Sequence, residues 1–259
     1  MREANNLARV TGKDGAAGKR LRQLQGRVEQ ARQQEQRIPV MKTYALGLWL
    51  PGAYSQRNTL FTIPAGTLPL GGARQLHVPD LVMQPHDRIA LLGPNGSGKS
   101  TLVRQIVSVV SLPPAQVTYI PQEIDGATAQ ALLARVRSLP KDRLGYLMTV
   151  VSGLGSRPQR LLDTRNPSPG EIRKLLLALG ITQTPHLIIM DEPTNHLDLP
   201  SIACLEQALA ECPCGLLLVS HDQYFLNRLT TLRWQISAAQ RSIQDGDTRL
   251  HITTSQVSG

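Results

Sequence analysis

Eight consecutive residues, Gly93, Pro94, Asn95, Gly96, Ser97, Gly98, Lys99 and Ser100, have the types and order needed to wrap a chain of phosphates. They fit G-x-x-x-x-G-K-S/T, whose four fixed positions would arise by chance somewhere in a chain of this length in roughly 1% of cases. Glycines let the backbone aim several N–H groups at one point, and a helix N-terminus adds the positive end of its dipole. Lys99 would reach the β- and γ-phosphates of a nucleotide, Ser100 would hold Mg²⁺, and Thr101 continues the same turn. A second chemical pair, Asp191 and Glu192, ends the apolar run Leu187, Ile188, Ile189, Met190. Carboxylates at the C-terminal end of a buried strand lie where open α/β sheets bind ligands. Asp191 would support the Mg²⁺ shell, and Glu192 would orient or polarise water attacking the γ-phosphate.

Such groups need rigid elements behind them. Residues 88–92 form a short apolar run suited to a buried strand, and residues 101–110 read as the helix that follows the phosphate loop. Residues 186–191 and 215–220 predict two more buried strands.

Three further motifs occur in order: Tyr119, Ile120, Pro121, Gln122; then Pro193, Thr194, Asn195, His196, Leu197, Asp198; then Leu218, Val219, Ser220, His221, Asp222. Singly, a glutamine or histidine is more often a satisfied surface group. In this order after a phosphate loop, the set resembles the ATP-binding cassette (ABC) ATPases. That resemblance implies Gln122 as the glutamine loop that senses Mg²⁺ and water. It implies residues 195–198 as a D-loop communicating across a dimer, and His221 as a switch histidine on the γ-phosphate. It also implies that each site is shared between two cassettes.

The signature turn departs from the usual Leu-Ser-Gly-Gly-Gln/Glu: here it reads Pro167, Ser168, Pro169, Gly170, Glu171. Ser168 and Glu171 also make an S-x-x-E capping box with Pro169 at the first helical position. A capped helix start and an anion site are compatible, although Pro169 removes one N–H donor. Ser168, Gly170 and Glu171 are therefore expected to serve nucleotide, in trans. This proline variant, with Arg173, Lys174 and the string 191–198, resembles the ABC-F branch over roughly residues 45–240. Members of that branch lack membrane domains, carry two cassettes joined by a charged helical linker, and in many cases act on ribosomes as translation factors or resistance proteins. The match fits a second cassette with the end of a linker; the motif set occurs once in this chain.

Ahead of it, residues 1–42 hold ten basic side chains against four acidic ones, most of the excess in a chain of net charge +9. Leu21, Leu24, Val28 and Ala31 fall at heptad-like spacing, which predicts a basic amphipathic helix that Pro39 ends. A solvated helix and an RNA-facing linker both fit, the latter through salt-dependent attraction to phosphate. The domain division is thus 1–44 for the basic linker helix and 45–259 for the nucleotide-binding domain.

The fold expected is α/β, a P-loop NTPase of the ABC ATPase type. It has a mixed β core, a helical subdomain inserted at about residues 124–170, and the basic helix in front. Strands should fill residues 58–92, Thr128 should cap a helix carrying Leu132, Leu133 and Val136, and Pro140 should interrupt it before residues 144–151. Residues 170–179 predict the signature helix, and residues 232–236 and 249–253 read as lesser edge strands. No apolar run approaches the eighteen or so residues that span a bilayer, and the polar start is no signal peptide, so the cytoplasm is expected. Cys204, Cys212 and Cys214 are an odd set without C-x-x-C, which argues against disulfides and zinc. Residues 68–72, where cassettes usually carry an aromatic to stack adenine, hold none, and Phe61 reads as core; base selectivity should be loose.

The expected cofactors are ATP and Mg²⁺. The expected partners are a second cassette, as a homodimer or a missing N-terminal half, and ribosome or RNA through the basic helix. An ATP-binding subunit of an ABC membrane transporter and a non-catalytic truncated module are the alternatives.

Overall fold

A computed structural model describes residues 55–72, 74–157, 161, 167–195, 197–238 and 249–256. The expected basic helix at 1–44 and His196 lie outside the described residues. Early strands are β1 (Phe61–Ile63), β2 (Gly66–Pro69), β3 (Gln75–Val78), β4 (Leu81–Met83) and β5 (Arg88–Leu92). Helix α1 (Lys99–Val109) follows, then β6 (Val117–Ile120), α2 (Gly126–Arg137), α3 (Lys141–Gly153) and α4 (Pro169–Ile181). The chain continues through β7 (Leu187–Asp191), α5 (Leu199–Glu211), β8 (Gly215–Val219), α6 (Gln223–Leu229), β9 (Leu232–Ala238) and β10 (Arg249–Gln256).

Among the described residues the main sheet has eight strands in the order β2-β3-β10-β9-β5-β8-β7-β6, and β1 pairs with β4 separately. From β9 to β6 all neighbours are parallel, whereas β10 is antiparallel to β9 and β2 to β3. The mixed core is therefore as expected, but β9 and β10 are not edges. β9 lies between β5 and β10, and the edges are β2 and β6. The alternation of Arg233, Trp234, Gln235 and Ile236 reflects one well-covered face rather than an edge position.

Alternation along the buried strands builds two apolar layers. Ile89, Leu91, Leu187, Ile189, Leu217 and Val219 face Leu102, Val103 and Ile106 of α1. Ala90, Ile188, Met190, Leu216 and Leu218 face the other way, toward Val136, Leu147, Leu175, Leu205 and Phe225. Side chains of period two on strands covered on both faces give continuous apolar runs, which is why these strands were legible. Their C-terminal ends all open on one side of the sheet, where the phosphate loop and the acidic pair lie.

Two local expectations are corrected. Asp125, not Thr128, caps α2: its carboxylate accepts from Thr128 N at 2.7 Å and from Thr128 Oγ1 at 2.9 Å. An aspartate with Gly126 behind it reaches the third amide and complements the dipole, so the helix starts earlier. Cys212 and Cys214 are paired as a disulfide across Pro213, their Cα atoms 5.5 Å apart, while Cys204 is free. The odd count concealed a turn through the single residue Pro213 that brings those sulfurs together.

Candidate nucleotide-binding site

The phosphate loop is shaped by close approaches that only glycine permits. A Cβ on Gly93 would lie 2.7 Å from Ser97 Oγ and 3.0 Å from Ile236 Cβ. Gly98 has φ 98°, and a Cβ there would lie 2.6 Å from Leu70 Cδ2. Within this turn Lys99 folds back, its Nζ donating to Gly93 O at 2.7 Å and Pro94 O at 3.0 Å. Burial lowers its pKa, while Glu192 and Asp191 nearby raise it. The ammonium at the start of α1 thus lies within electrostatic reach of both carboxylates.

Asp191 and Glu192 are both buried, at 2% and 6% exposure. Ser100 Oγ donates to Asp191 Oδ2 at 2.9 Å, which joins the start of α1 to the end of β7. Glu192 takes a left-handed φ of 51°, unusual for a residue with a side chain, and its N–H donates to Val219 O at 2.7 Å. That kink turns the carboxylate out of the strand. Its Oε1 is buried without a hydrogen-bond partner; His221 Nε2 stands 3.6 Å away. Desolvation pushes both carboxyls above their ordinary range. The Ser100 hydrogen bond, Lys99 and Arg173 oppose the shift at Asp191, and His221 and Lys99 oppose it at Glu192. His221 Nε2 is also 3.1 Å from Asn95 Oδ1, so the histidine bridges the phosphate loop and the acidic strand end.

These groups line one open cleft of about 580 Å³. Its walls bring together Asn95, Gly96, Gly98, Lys99, Ser100 and Thr101 from the phosphate loop with Gln122, Asp191, Glu192 and His221. Gly93 and Pro94 stand behind Lys99 as its carbonyl acceptors, and Ser97 is buried beneath the loop. A serine hydroxyl and a carboxylate already in contact, with a glutamine at the same cleft, are hard oxygen donors that fit Mg²⁺ held jointly with phosphate oxygens. Ser168, Gly170 and Glu171 do not line this cleft.

The sequence model of the ABC transporter family matches residues 76–195, from β3 through the phosphate loop to the turn beyond Glu192. Residues 76–195 thus form a domain of the ABC transporter type. It is 30% identical over 222 residues to the ribosome protection protein VmlR of Bacillus subtilis (strain 168), an ABC-F protein, covering 82% of this chain and 41% of that one. It is 35% identical over 163 residues to the zinc import ATP-binding protein ZnuC of Paracoccus denitrificans (strain Pd 1222), covering 55% and 62%. Among solved structures, an RNase-L inhibitor aligns with TM-score 0.55 and 19% identity over 76% of this chain and 40% of that one, which speaks to fold. The chain spans less than half the length of VmlR.

Within the cassette, two wall residues carry no motif. Leu70 packs against Gly98, and Arg74 Nη1 lies 3.5 Å from Gly96 O, on the wall where an adenine-stacking aromatic was missing. Only their place before the phosphate loop could have drawn attention to them. At α4 the capping box is complete: Glu171 N donates to Ser168 Oγ at 3.3 Å and Ser168 N donates to Glu171 Oε2 at 2.8 Å. Asp198 caps α5 through Ser201 N at 2.9 Å and lies 4.0 Å from Lys174 Nζ.

Proposed function

We propose that the cassette binds ATP with Mg²⁺ and hydrolyses it to ADP and phosphate in a site completed by a second cassette, as part of an ABC-F type protein that acts on ribosomes. The observation that carries the hydrolytic reading is the unpartnered, buried Glu192 Oε1, set 3.6 Å from His221 Nε2 in the cleft that also holds Lys99. Lys99, within electrostatic reach of Glu192 and Asp191, holds the β- and γ-phosphates. Glu192 orients a water in line with the bond between the γ-phosphorus and the bridging oxygen. That bond breaks as the new P–O bond forms, and His221 steadies the γ-phosphate. Ser100, Asp191 and Gln122 would hold Mg²⁺, which when bound would neutralise charge on the phosphates.

Separation of Ser168, Gly170 and Glu171 from this cleft supports their use on the nucleotide of a partner cassette. The similarity to a ribosome protection protein and the proline signature support the ribosomal setting, with residues 1–44 as a basic contact to RNA and the cytoplasm as the compartment. No helix among the described residues is long and apolar enough to cross a membrane. A second reading, docking on a membrane transporter, has behind it the similarity to the zinc import ATP-binding protein and is the less favoured of the two. One experiment separates them. Glu192→Gln protein loaded with ATP should sediment with ribosomes and be released as salt rises. Failure to sediment, together with copurification of a membrane protein, would replace the ribosomal reading by the transporter one.

A further inference from the structure

Arg173 lies in the first turns of α4, yet its side chain is buried, at 4% exposure. Nη1 donates to Glu192 O at 2.6 Å and to Asn195 O at 3.3 Å. Nη2 donates to Pro121 O at 3.0 Å and also to Gln122 O. One planar guanidinium therefore holds four backbone carbonyls from the glutamine loop, the Glu192 kink and the start of the 195–198 turn. Neighbouring Lys174 lies near Asp198, at the far end of that same turn. No carboxylate forms an ion pair with Arg173 among the described residues. Asp191 and Glu192 nonetheless act on it electrostatically, partly offsetting the effect of burial.

Packing alone does not call for such a group, since an apolar side chain of similar volume fills space without the desolvation of a buried charge. What a guanidinium adds is a rigid fork of five donors at fixed angles. Its position on α4 is the telling point. The same helix starts with the Ser168–Glu171 box, which does not line this chain's own cleft. A displacement of the α4 N-terminus is thus passed to the carbonyls flanking Gln122 and Glu192 through a single stiff group.

We propose that Arg173 is a positioning residue that couples the N-terminal turn of α4 to the water-orienting carboxylate, by clamping the Gln122 loop and the Glu192 turn to one guanidinium. This rests on reading Glu192 as the group that orients water. The clamp and that reading fail separately, because the clamp is measurable without any hydrolysis.

The test uses the full chain with Arg173→Gln and Arg173→Lys. Hydrogen exchange read by mass spectrometry, without nucleotide, should rise about tenfold or more in peptides spanning 119–124 and 192–197 of both variants, with α1 unchanged. Lys keeps the charge but not the fork, so Arg173→Lys should loosen both segments as well. Should Arg173→Gln fail to fold, visible as faster exchange throughout α1, Arg173→Lys alone decides. Parent-like exchange in both segments of Arg173→Lys overturns the clamp, and loosening of only one segment overturns the coupling. In ATP turnover, kcat should fall by roughly ten- to a hundredfold through misplacement of Glu192. The Kd for ATP should stay within about twofold, because the phosphate loop is untouched. Loosened loops with an unchanged kcat would overturn the coupling. A parent chain that is dimeric with ATP and still shows no turnover would count against the hydrolytic reading, while the exchange data still decide the clamp.

Discussion

The helices α1 and α4 both present an N-terminal turn suited to phosphate, and they finish that turn in opposite ways. α1 starts at Gly98 with no side-chain cap, no acidic residue in its first turn and Lys99 as its first residue. α4 starts at Ser168 with a complete capping box, Pro169 at the first position and Glu171 in the first turn. A cap and an acidic residue stabilise a helix start by satisfying its amides and its dipole. The first turn of α1 forgoes both, so its N–H groups and its lysine stay available to an anion. The first turn of α4 is already satisfied by its own side chains. A nucleotide reaching it from a partner cassette must compete with Glu171 for the Ser168 hydroxyl and amide. The difference teaches that the two ends are not equivalent halves of a phosphate clamp: one is built to bind and the other is built first to be stable.

The sharpest way to break that comparison is at Lys99. Lys99→Ala should weaken ATP binding to the isolated chain by about a hundredfold or more, as loss of a charge-assisted contact in a partly buried site implies. Ser168→Ala should leave the same Kd within about twofold, since its hydroxyl does not line this cleft. Isothermal titration calorimetry of both variants measures this. Comparable losses in the two would mean that α4 contributes to the chain's own cleft.

The next effect concerns assembly. Glu192→Gln should retain ATP and accumulate as a dimer, observed by light scattering on a sizing column. Adding Ser168→Ala to it should weaken that dimer by about a hundredfold or more, because each of its two sites loses one hydrogen bond to a charged group worth about 1.5–3 kcal/mol. A Glu192→Gln protein that stays monomeric in excess ATP removes the α4 turn from nucleotide binding altogether and leaves its cap as the whole of its role.

Contiguity decided how much of this was legible beforehand. The phosphate loop, the Asp191–Glu192 strand end and the Ser168–Glu171 box are each local in sequence, and their chemistry follows from residue type and spacing. Residues 89–92, 187–190 and 216–219 of β5, β7 and β8 are apolar because both faces are covered. What escaped depends on partners far away in the chain. The interior place of β9 follows from its pairing with β5, some 140 residues earlier, and no property of residues 232–238 announces it. Leu70 and Arg74 join the cleft only because β2 and β3 bring them against Gly96 and Gly98. Arg173 was legible only as part of the ABC-F-like string after the signature turn, and its four carbonyl partners come from three loops that only the fold assembles.

The smallest effect is one of stability, and its sign differs between the α4 start and the cleft. Ser168→Ala removes a cap and should cost about 1 kcal/mol, lowering Tm by about 2–4 °C. Glu192 behaves the other way. Burial raises its folded pKa above the ordinary 4.5, so the folded state holds that proton more tightly than the unfolded chain does. Its contribution to stability is therefore fully present below the unfolded value and is lost as pH rises through the raised folded value. Above that point the buried carboxylate with its unpartnered Oε1 is a net liability. Glu192→Gln should accordingly raise Tm by about 1–4 °C at pH 8. The gain should shrink toward zero as pH falls past the raised pKa, where the parent carboxyl is itself neutral. Calorimetric melts of parent and variant at several pH values read this directly. A Glu192→Gln protein less stable than its parent at pH 8 would mean that His221 and Lys99 more than compensate the buried charge. The cleft would then be a stabilised end like α4, rather than one that gives up stability for binding.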